Sequence, residues 1–219
     1  MHAFQMMRTG IVRLAEWSTG RISHETKLGR LAKLFRTEIL GKDKRFEFQA
    51  FGDMLIGTTV KALSIAQSSK FDDLEPLTDM NKRILFVPCL LETPEKSQAS
   101  VASIRLLISA RSQQVDDQVS LPSFRVASTS DPVRLAKRMH EVYLKGNNGM
   151  ILRTMGTQQS AIAVRAIATF NEKVESHKLQ SYLSAERVDD EFKKESTGKL
   201  RTMLFHVDVV PSNEVEFPE

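Results

Sequence analysis

The sequence predicts an α+β protein made of two copies of one β-α-β-α-β-β unit, each a four-stranded sheet with two helices on one face, packed together as a pseudo-dimer. Three observations lead there. The 219-residue chain repeats itself at a constant offset: Arg30-Leu31-Ala32-Lys33 returns as Arg134-Leu135-Ala136-Lys137, Gly52 as Gly156, and Val60-Lys61-Ala62-Leu63 as Val164-Arg165-Ala166-Ile167, with no gap between. Such a run marks duplication of a structural unit. Within each copy the apolar residues switch between helical spacing and strand alternation. Glycine or proline stands where the spacing changes.

The elements of the second copy read in order. Phe124–Ala127 is a short apolar strand. Asp131 then supplies an N-cap, and Pro132 takes the first helical position, where its missing N–H costs nothing. Leu135, Ala136, Met139, Val142 and Tyr143 form one helical face, stopped by Gly146 and Asn147. Residues 150–155 form a strand ending at Gly156, and a second helix carries Ile162, Ala163, Ala166, Ile167, Phe170 and Val174 on its apolar face. A weaker strand near 179–184, the charged stretch 186–199 and a returning strand at 200–209 make a closing hairpin. The first copy echoes this series. Leu28, Leu31, Ala32, Phe35 and Ile39 line a helix stopped by Gly41, the strand 46–51 ends at Gly52, and Leu55, Ile56, Thr59, Val60, Leu63 and Ala66 line the second helix. Strands at 83–91 and 101–110 form its hairpin.

The chain accordingly divides into an amphipathic segment 1–20, a first repeat 21–110, a polar linker 111–122, a second repeat 123–210 and an acidic tail 211–219, expected to be mobile. Across the first 23 residues Phe4, Met7, Ile11 and Leu14 recur at helical spacing, while Arg8, Arg13 and Arg21 face one acid, Glu16. Two readings fit: a mitochondrial presequence, or a helix docked on the body and anchored by Trp17. The first favours the mitochondrion over the cytoplasm or nucleus.

Composition narrows the function classes. Hydrophobic residues at 41% suffice for packed cores, and no stretch approaches the roughly 20 apolar residues that span a bilayer, so no membrane partner is expected. A net charge of +4 suits a polyanionic partner. Cys89 is the only cysteine, which rules out an internal disulfide and a cysteine metal site.

The segment Val126-Ala127-Ser128-Thr129-Ser130-Asp131-Pro132 resembles the first strand and loop of stage V sporulation protein S. Thr154-Met155-Gly156 followed by Ala163-Val164-Arg165-Ala166-Ile167-Ala168 resembles that family's strand–glycine–helix core, and 202–209 its last strand. The likeness covers most of the second copy and 27–67 of the first. That family is related to the Alba proteins, which bind DNA or RNA as dimers. The resemblance implies an Alba-like fold, with nucleic-acid contacts from the first-strand loop, the loop before the second helix and the final hairpin. Where Alba proteins usually carry lysines after the first strand, Ser128, Thr129 and Ser130 stand here, and His24, Glu25 and Thr26 in the first copy.

The residues expected to touch nucleic acid follow from charge and position. Lys193, Lys194, Lys199 and Arg201 crowd the second hairpin, and basic hairpins can track a phosphate backbone. A solvated loop is the plainer explanation, since Asp189, Asp190, Glu191 and Glu195 dilute the field. Thr157 and Gln158 follow Gly156 at a helix N-terminus, whose free N–H groups can receive a phosphate. Arg125 and Arg153 complete the set. Lys61 and Arg165 occupy matched helix positions and suit pairing with acids between the copies. His206 alternates with apolar residues and reads as a strand position. No GxxxxGK[ST], GxSxG or HExxH motif is present, so neither catalysis nor a cofactor is expected. The expected function is nucleic-acid binding, RNA ahead of DNA because the lysine loop is absent. The alternative is a non-catalytic adaptor subunit of a larger assembly, such as an organellar ribonucleoprotein.

Overall fold

The computed structural model describes residues 17–68, 82–91, 103–112, 121–187, 201–215 and 217–218. In the first half, strand β1 (Trp17–Arg21) leads to helix α1 (Leu28–Leu34), which continues as a π-helical turn over Phe35–Leu40. Strand β2 (Arg45–Phe51), helix α2 (Asp53–Gln67) and the strands β3 (Lys82–Leu90) and β4 (Ser103–Ser112) follow. The second half contains β5 (Ser123–Arg125), α3 (Pro132–Leu144), β6 (Gly149–Thr154), α4 (Thr157–Lys173), β7 (His177–Arg187) and β8 (Arg201–Pro211), then a 3-10 turn at Ser212–Glu214.

The fold is α+β, with one mixed eight-stranded sheet ordered β1-β2-β4-β3-β7-β8-β6-β5 and four α-helices among the described residues. Each repeat is expected to carry a four-stranded sheet; the eight strands form one sheet, because β3 and β7 join through the pair Phe86↔Ser181. Phe86 also faces Ile108, which faces Phe46; Ser181 faces Val207, which faces Met150. The rung stops at one pair for a local reason. The next pair would be Pro88 with Leu179, and Pro88 has no N–H to give. The amide of Asn171 occupies that place: Leu179 N–H donates to its Oδ1 (2.6 Å), and its Nδ2 donates to the carbonyls of Pro88 (2.9 Å) and Leu179 (3.1 Å). Gln67, at the corresponding place in α2, accepts from Ile84 N–H (2.6 Å) and donates to the Lys82 carbonyl (3.1 Å).

All four helices cover one face of the sheet, in the spatial order α1, α2, α4, α3. Strand alternation sends Phe46, Phe48, Leu106, Phe86, Leu183, Phe205 and Leu152 into this layer, so a single core runs through both halves. Phe86 and Phe205 meet edge to face at 6.2 Å across the junction of β3 and the second half. Burying a phenyl side chain contributes roughly 1.5–3 kcal/mol, which makes this contact a main link between the halves. Helices α2 and α4 cross closely. A Cβ on Gly57 would lie 2.6 Å from the Thr157 carbonyl oxygen, so only glycine permits the approach. Beside the crossing, Arg165 pairs with Asp53 at 3.2 Å, the pairing between copies that the matched helix positions suggested. Both groups are partly exposed, so the pair contributes at most about 1 kcal/mol. Asp131 caps α3 as expected, accepting from Arg134 N–H at 2.7 Å.

Two ends of the chain differ from expectation. Trp17 is part of strand β1, paired parallel to β2 from Trp17↔Arg45 to Arg21↔Gln49, rather than of an N-terminal helix. The strand therefore begins within the segment assigned to 1–20; the small polar run Ser18-Thr19-Gly20 offers no apolar alternation to reveal it. Residues 1–16, with the predicted amphipathic helix, lie outside the described residues. The tail is not a free acidic extension over its described part. Ser212 Oγ donates to the Glu175 carbonyl, and Val215 packs on Val87 and Leu107 on the helix-free face. No helix of the described residues is long and apolar enough to cross a membrane.

Candidate nucleic-acid interface

The expected contact residues that are described, Arg125, Arg153, Thr157, Gln158 and Arg201, fall at one end of the second half. Leu152 and Thr154 are buried, so alternation turns Arg153 to the helix-free face. Arg125 lies beside it in the parallel pair Arg125↔Arg153, and both are exposed. Arg153 Nε donates to Ser123 Oγ at 3.0 Å, and its Nη1 stands 3.7 Å from Glu186. The side chains of that ion pair are 50% and 53% exposed, so water screens it and the guanidinium stays available to an anion. Strand β6 runs directly into α4. Gly156, at φ 127°, makes the turn, and Thr157 and Gln158 are exposed on the first turn of the helix. The turn is held from below by Ser160, whose Oγ donates to the Gly156 carbonyl (2.8 Å) and lies 3.1 Å from Thr154 Oγ1.

The hairpin stem reaches the same end. Met203 faces Thr154, and the stem closes beyond it at Arg187↔Arg201. Arg201 is thus placed at the mouth of the hairpin. Lys193, Lys194 and Lys199 lie in 188–200, outside the described residues. In the first half, Gly52 turns at φ 82° in the corresponding place, but Asp53 opens the helix and pairs with Arg165. A carboxylate at that helix start repels a phosphate.

The first-strand loops share one local structure. Ala127 N–H donates to Ser130 Oγ (3.0 Å) and Ser130 N–H to the Ala127 carbonyl (3.1 Å). Ser23 N–H donates to Thr26 Oγ1 (3.0 Å) and Thr26 N–H to the Ser23 carbonyl (3.0 Å). Both are compact hydroxyl-closed turns. Ser128 and Thr129 are exposed at the tip of the second.

Sequence reasoning missed a cluster on the helix-free face. The Arg83 guanidinium lies 4.3 Å over the ring of Tyr182, and the Tyr182 and His206 rings are parallel (1°) at 4.5 Å. His206 Nε2 is 2.7 Å from Ser184 Oγ. Burial, and secondarily the charge of Arg83, hold the His206 pKa below its ordinary value, so the imidazole is neutral at pH 7. His206 is indeed a strand position, as expected, but its ring faces away from the core. The signal was hidden because the three residues come from three strands. Among the described residues no three His, Cys, Asp or Glu side chains gather where a metal ion would be held.

A scan against models of protein families finds no match to this chain, and a search of curated proteins returns none similar enough to count as a relative.

Proposed function

We propose that this chain is a nucleic-acid-binding protein, taking RNA ahead of DNA, and that its two halves act as an intramolecular Alba-like pseudo-dimer. The observation that carries the reading is the gathering of Arg125, Arg153, Thr157, Gln158 and the Arg201 stem of a lysine-bearing hairpin at one end of the sheet. Cationic side chains and a helix N-terminus brought to one edge suit a phosphate backbone, which binds by charge neutralisation and counterion release. The strand order supports the pseudo-dimer: from either edge, each half runs first, second, fourth, third strand, and the two third strands meet. RNA stands ahead of DNA because neither first-strand loop carries lysine, the second presenting Ser128 and Thr129 and the first His24, Glu25 and Thr26, leaving less charge for a duplex. Labelled RNA and DNA single strands of one sequence, titrated at two salt concentrations, test the reading. Binding that weakens steeply with salt and favours RNA is expected; no binding at low salt contradicts it.

One observation favours the second reading, a protein-protein adaptor within a ribonucleoprotein. Asp53 and its partner Arg165 make the first half electrostatically unlike the second, which leaves that half free to contact protein. Binding to a protein partner with no affinity for nucleic acid would select it.

A further inference from the structure

We propose that the helix-free face of the second half is a stacking platform for the bases of a single-stranded nucleic acid, with the outer face of the His206 ring as its wall. This rests on the nucleic-acid reading above and adds to it a contact with bases, beside the phosphate contacts Arg125 and Arg153.

The platform is built by register. Tyr182, His206 and Ile151 lie side by side on β7, β8 and β6. Their strands are about 4.8 Å apart, and the Tyr182–His206 centroid distance of 4.5 Å with parallel planes shows the rings standing upright like books on a shelf. Arg83 covers the far face of Tyr182. Both faces of the tyrosine are thereby used; His206 is partly exposed, with Tyr182 against one face. Its other face looks toward β6, where Ile151 is aliphatic and partly exposed and Ser123 lies opposite on β5. A flat, apolar-faced group fits this slot: wall of imidazole, floor of isoleucine, hydroxyl at the rim. Stacking there extends an existing column of guanidinium, phenol and imidazole.

The charge around the slot selects the occupant. Arg153 and Arg125 stand next to Ile151 and Ser123, one step along their strands, Arg153 beside the screened carboxylate of Glu186, while the carboxylate of Asp208 lies one step the other way, opposite Gly149. A base against His206 would set its backbone phosphate within reach of these guanidinium groups. A free planar hydrocarbon would gain nothing from them, and a duplex cannot offer a base face because both faces are already stacked. Single strands with unstacked bases are the class that combines a free π-face with a negative backbone. The tail anchored by Val215 lies on Val87 and Leu107, on the first-half side, and at the slot Ile151 and His206 are partly exposed and Ser123 is exposed.

The test uses the full chain, a labelled twelve-nucleotide uridine strand, its deoxythymidine counterpart and a duplex of equal length. Removing one base-stacking side chain weakens binding roughly tenfold or more. His206→Ala is therefore expected to weaken both single strands about tenfold without changing the slope of affinity against salt, and His206→Phe, which keeps a flat ring, to bind like the native chain. The duplex is expected to bind more weakly than either strand and to be indifferent to His206→Ala. Thermal melting of each variant confirms folding. If the native chain binds single strands but His206→Ala binds them equally well, or if His206→Phe loses binding as alanine does while folded, the platform is wrong and the phosphate contacts stand alone. If the native chain binds none of the three, the nucleic-acid reading falls and the platform with it.

Discussion

Phe86 and Ser181 form the rung of backbone pairing that joins the two halves of the sheet, and they occupy corresponding places in their hairpins. The pair is chemically unequal. Phe86 fills the core, whereas Ser181 Oγ is fully buried with no hydrogen-bond partner among the described residues. An unpaired buried hydroxyl costs about 1–3 kcal/mol. Ser181→Ala should therefore leave stability unchanged or raise it by up to about 1 kcal/mol, read as the denaturant midpoint. Phe86→Ala should lower it by about 3–5 kcal/mol. A Ser181→Ala variant clearly less stable than the native chain would show that the hydroxyl has a partner.

Asn171 replaces the rung that Pro88 cannot make. Asn171→Leu is nearly isosteric but leaves the Leu179 N–H and two carbonyls without their partner. A loss of about 2–4 kcal/mol is expected, larger than for Gln67→Leu, since Gln67 is only partly buried. Amide hydrogen exchange at Leu179 should accelerate in the Asn171 variant ahead of the rest of β7.

Two helical glycines should respond oppositely to alanine. Alanine is favoured over glycine in a helix by about 1 kcal/mol. At Gly29 a Cβ meets nothing within 4 Å, so Gly29→Ala should stabilise by about 0.5–1 kcal/mol. At Gly57 the new carbon meets Thr157 backbone, and moving α4 away costs more than the propensity returns, so Gly57→Ala should destabilise by about 1–3 kcal/mol. Melting temperatures of the two variants check both signs.

The histidine stack gives a pH signature. The folded protein holds the His206 pKa below the 6.5 of a free histidine, through burial first and Arg83 second. As pH falls below that value the unfolded chain takes up the proton before the folded one. The contribution of His206 to stability is therefore complete above pH 6.5, is lost as pH falls from there toward the folded-state pKa, and levels off below it. His206→Phe has no such proton, so its melting temperature should fall less than that of the native protein between pH 7 and pH 5. Parallel curves would contradict the shift.

Most elements were legible because each kept its own period. The stripes at 28–40 and 132–144, and at 53–67 and 157–171, correspond without a gap, and Asp131-Pro132 marked a helix start that the structure keeps. The correspondence faded after the second helix because 68–81 intervene before β3 where only 174–176 intervene before β7. Strand β1 was missed because Trp17 continues the helical spacing of Leu14 and the residues after it are polar. The junction of the halves was not legible either. It depends on which hairpin edges meet, and a strand's alternation says nothing about its neighbour. The His206 stack is of the same kind: Arg83, Tyr182 and His206 are ordinary strand residues until register sets them side by side. Of the hairpin contacts, only the place of Arg201 in the stem is described.

The hairpin end is best tested by salt. Lys193, Lys194, Lys199 and Arg201, changed together to alanine, remove four cations from the second hairpin. Each phosphate contact on a single strand contributes about 0.7 to the slope of log affinity against log salt. The predicted result is steeply salt-dependent RNA binding by the native chain, and a variant that binds more weakly with a slope lower by up to about 3. An RNA affinity and slope unaltered by the four substitutions, or no RNA binding by the native chain at all, would contradict it.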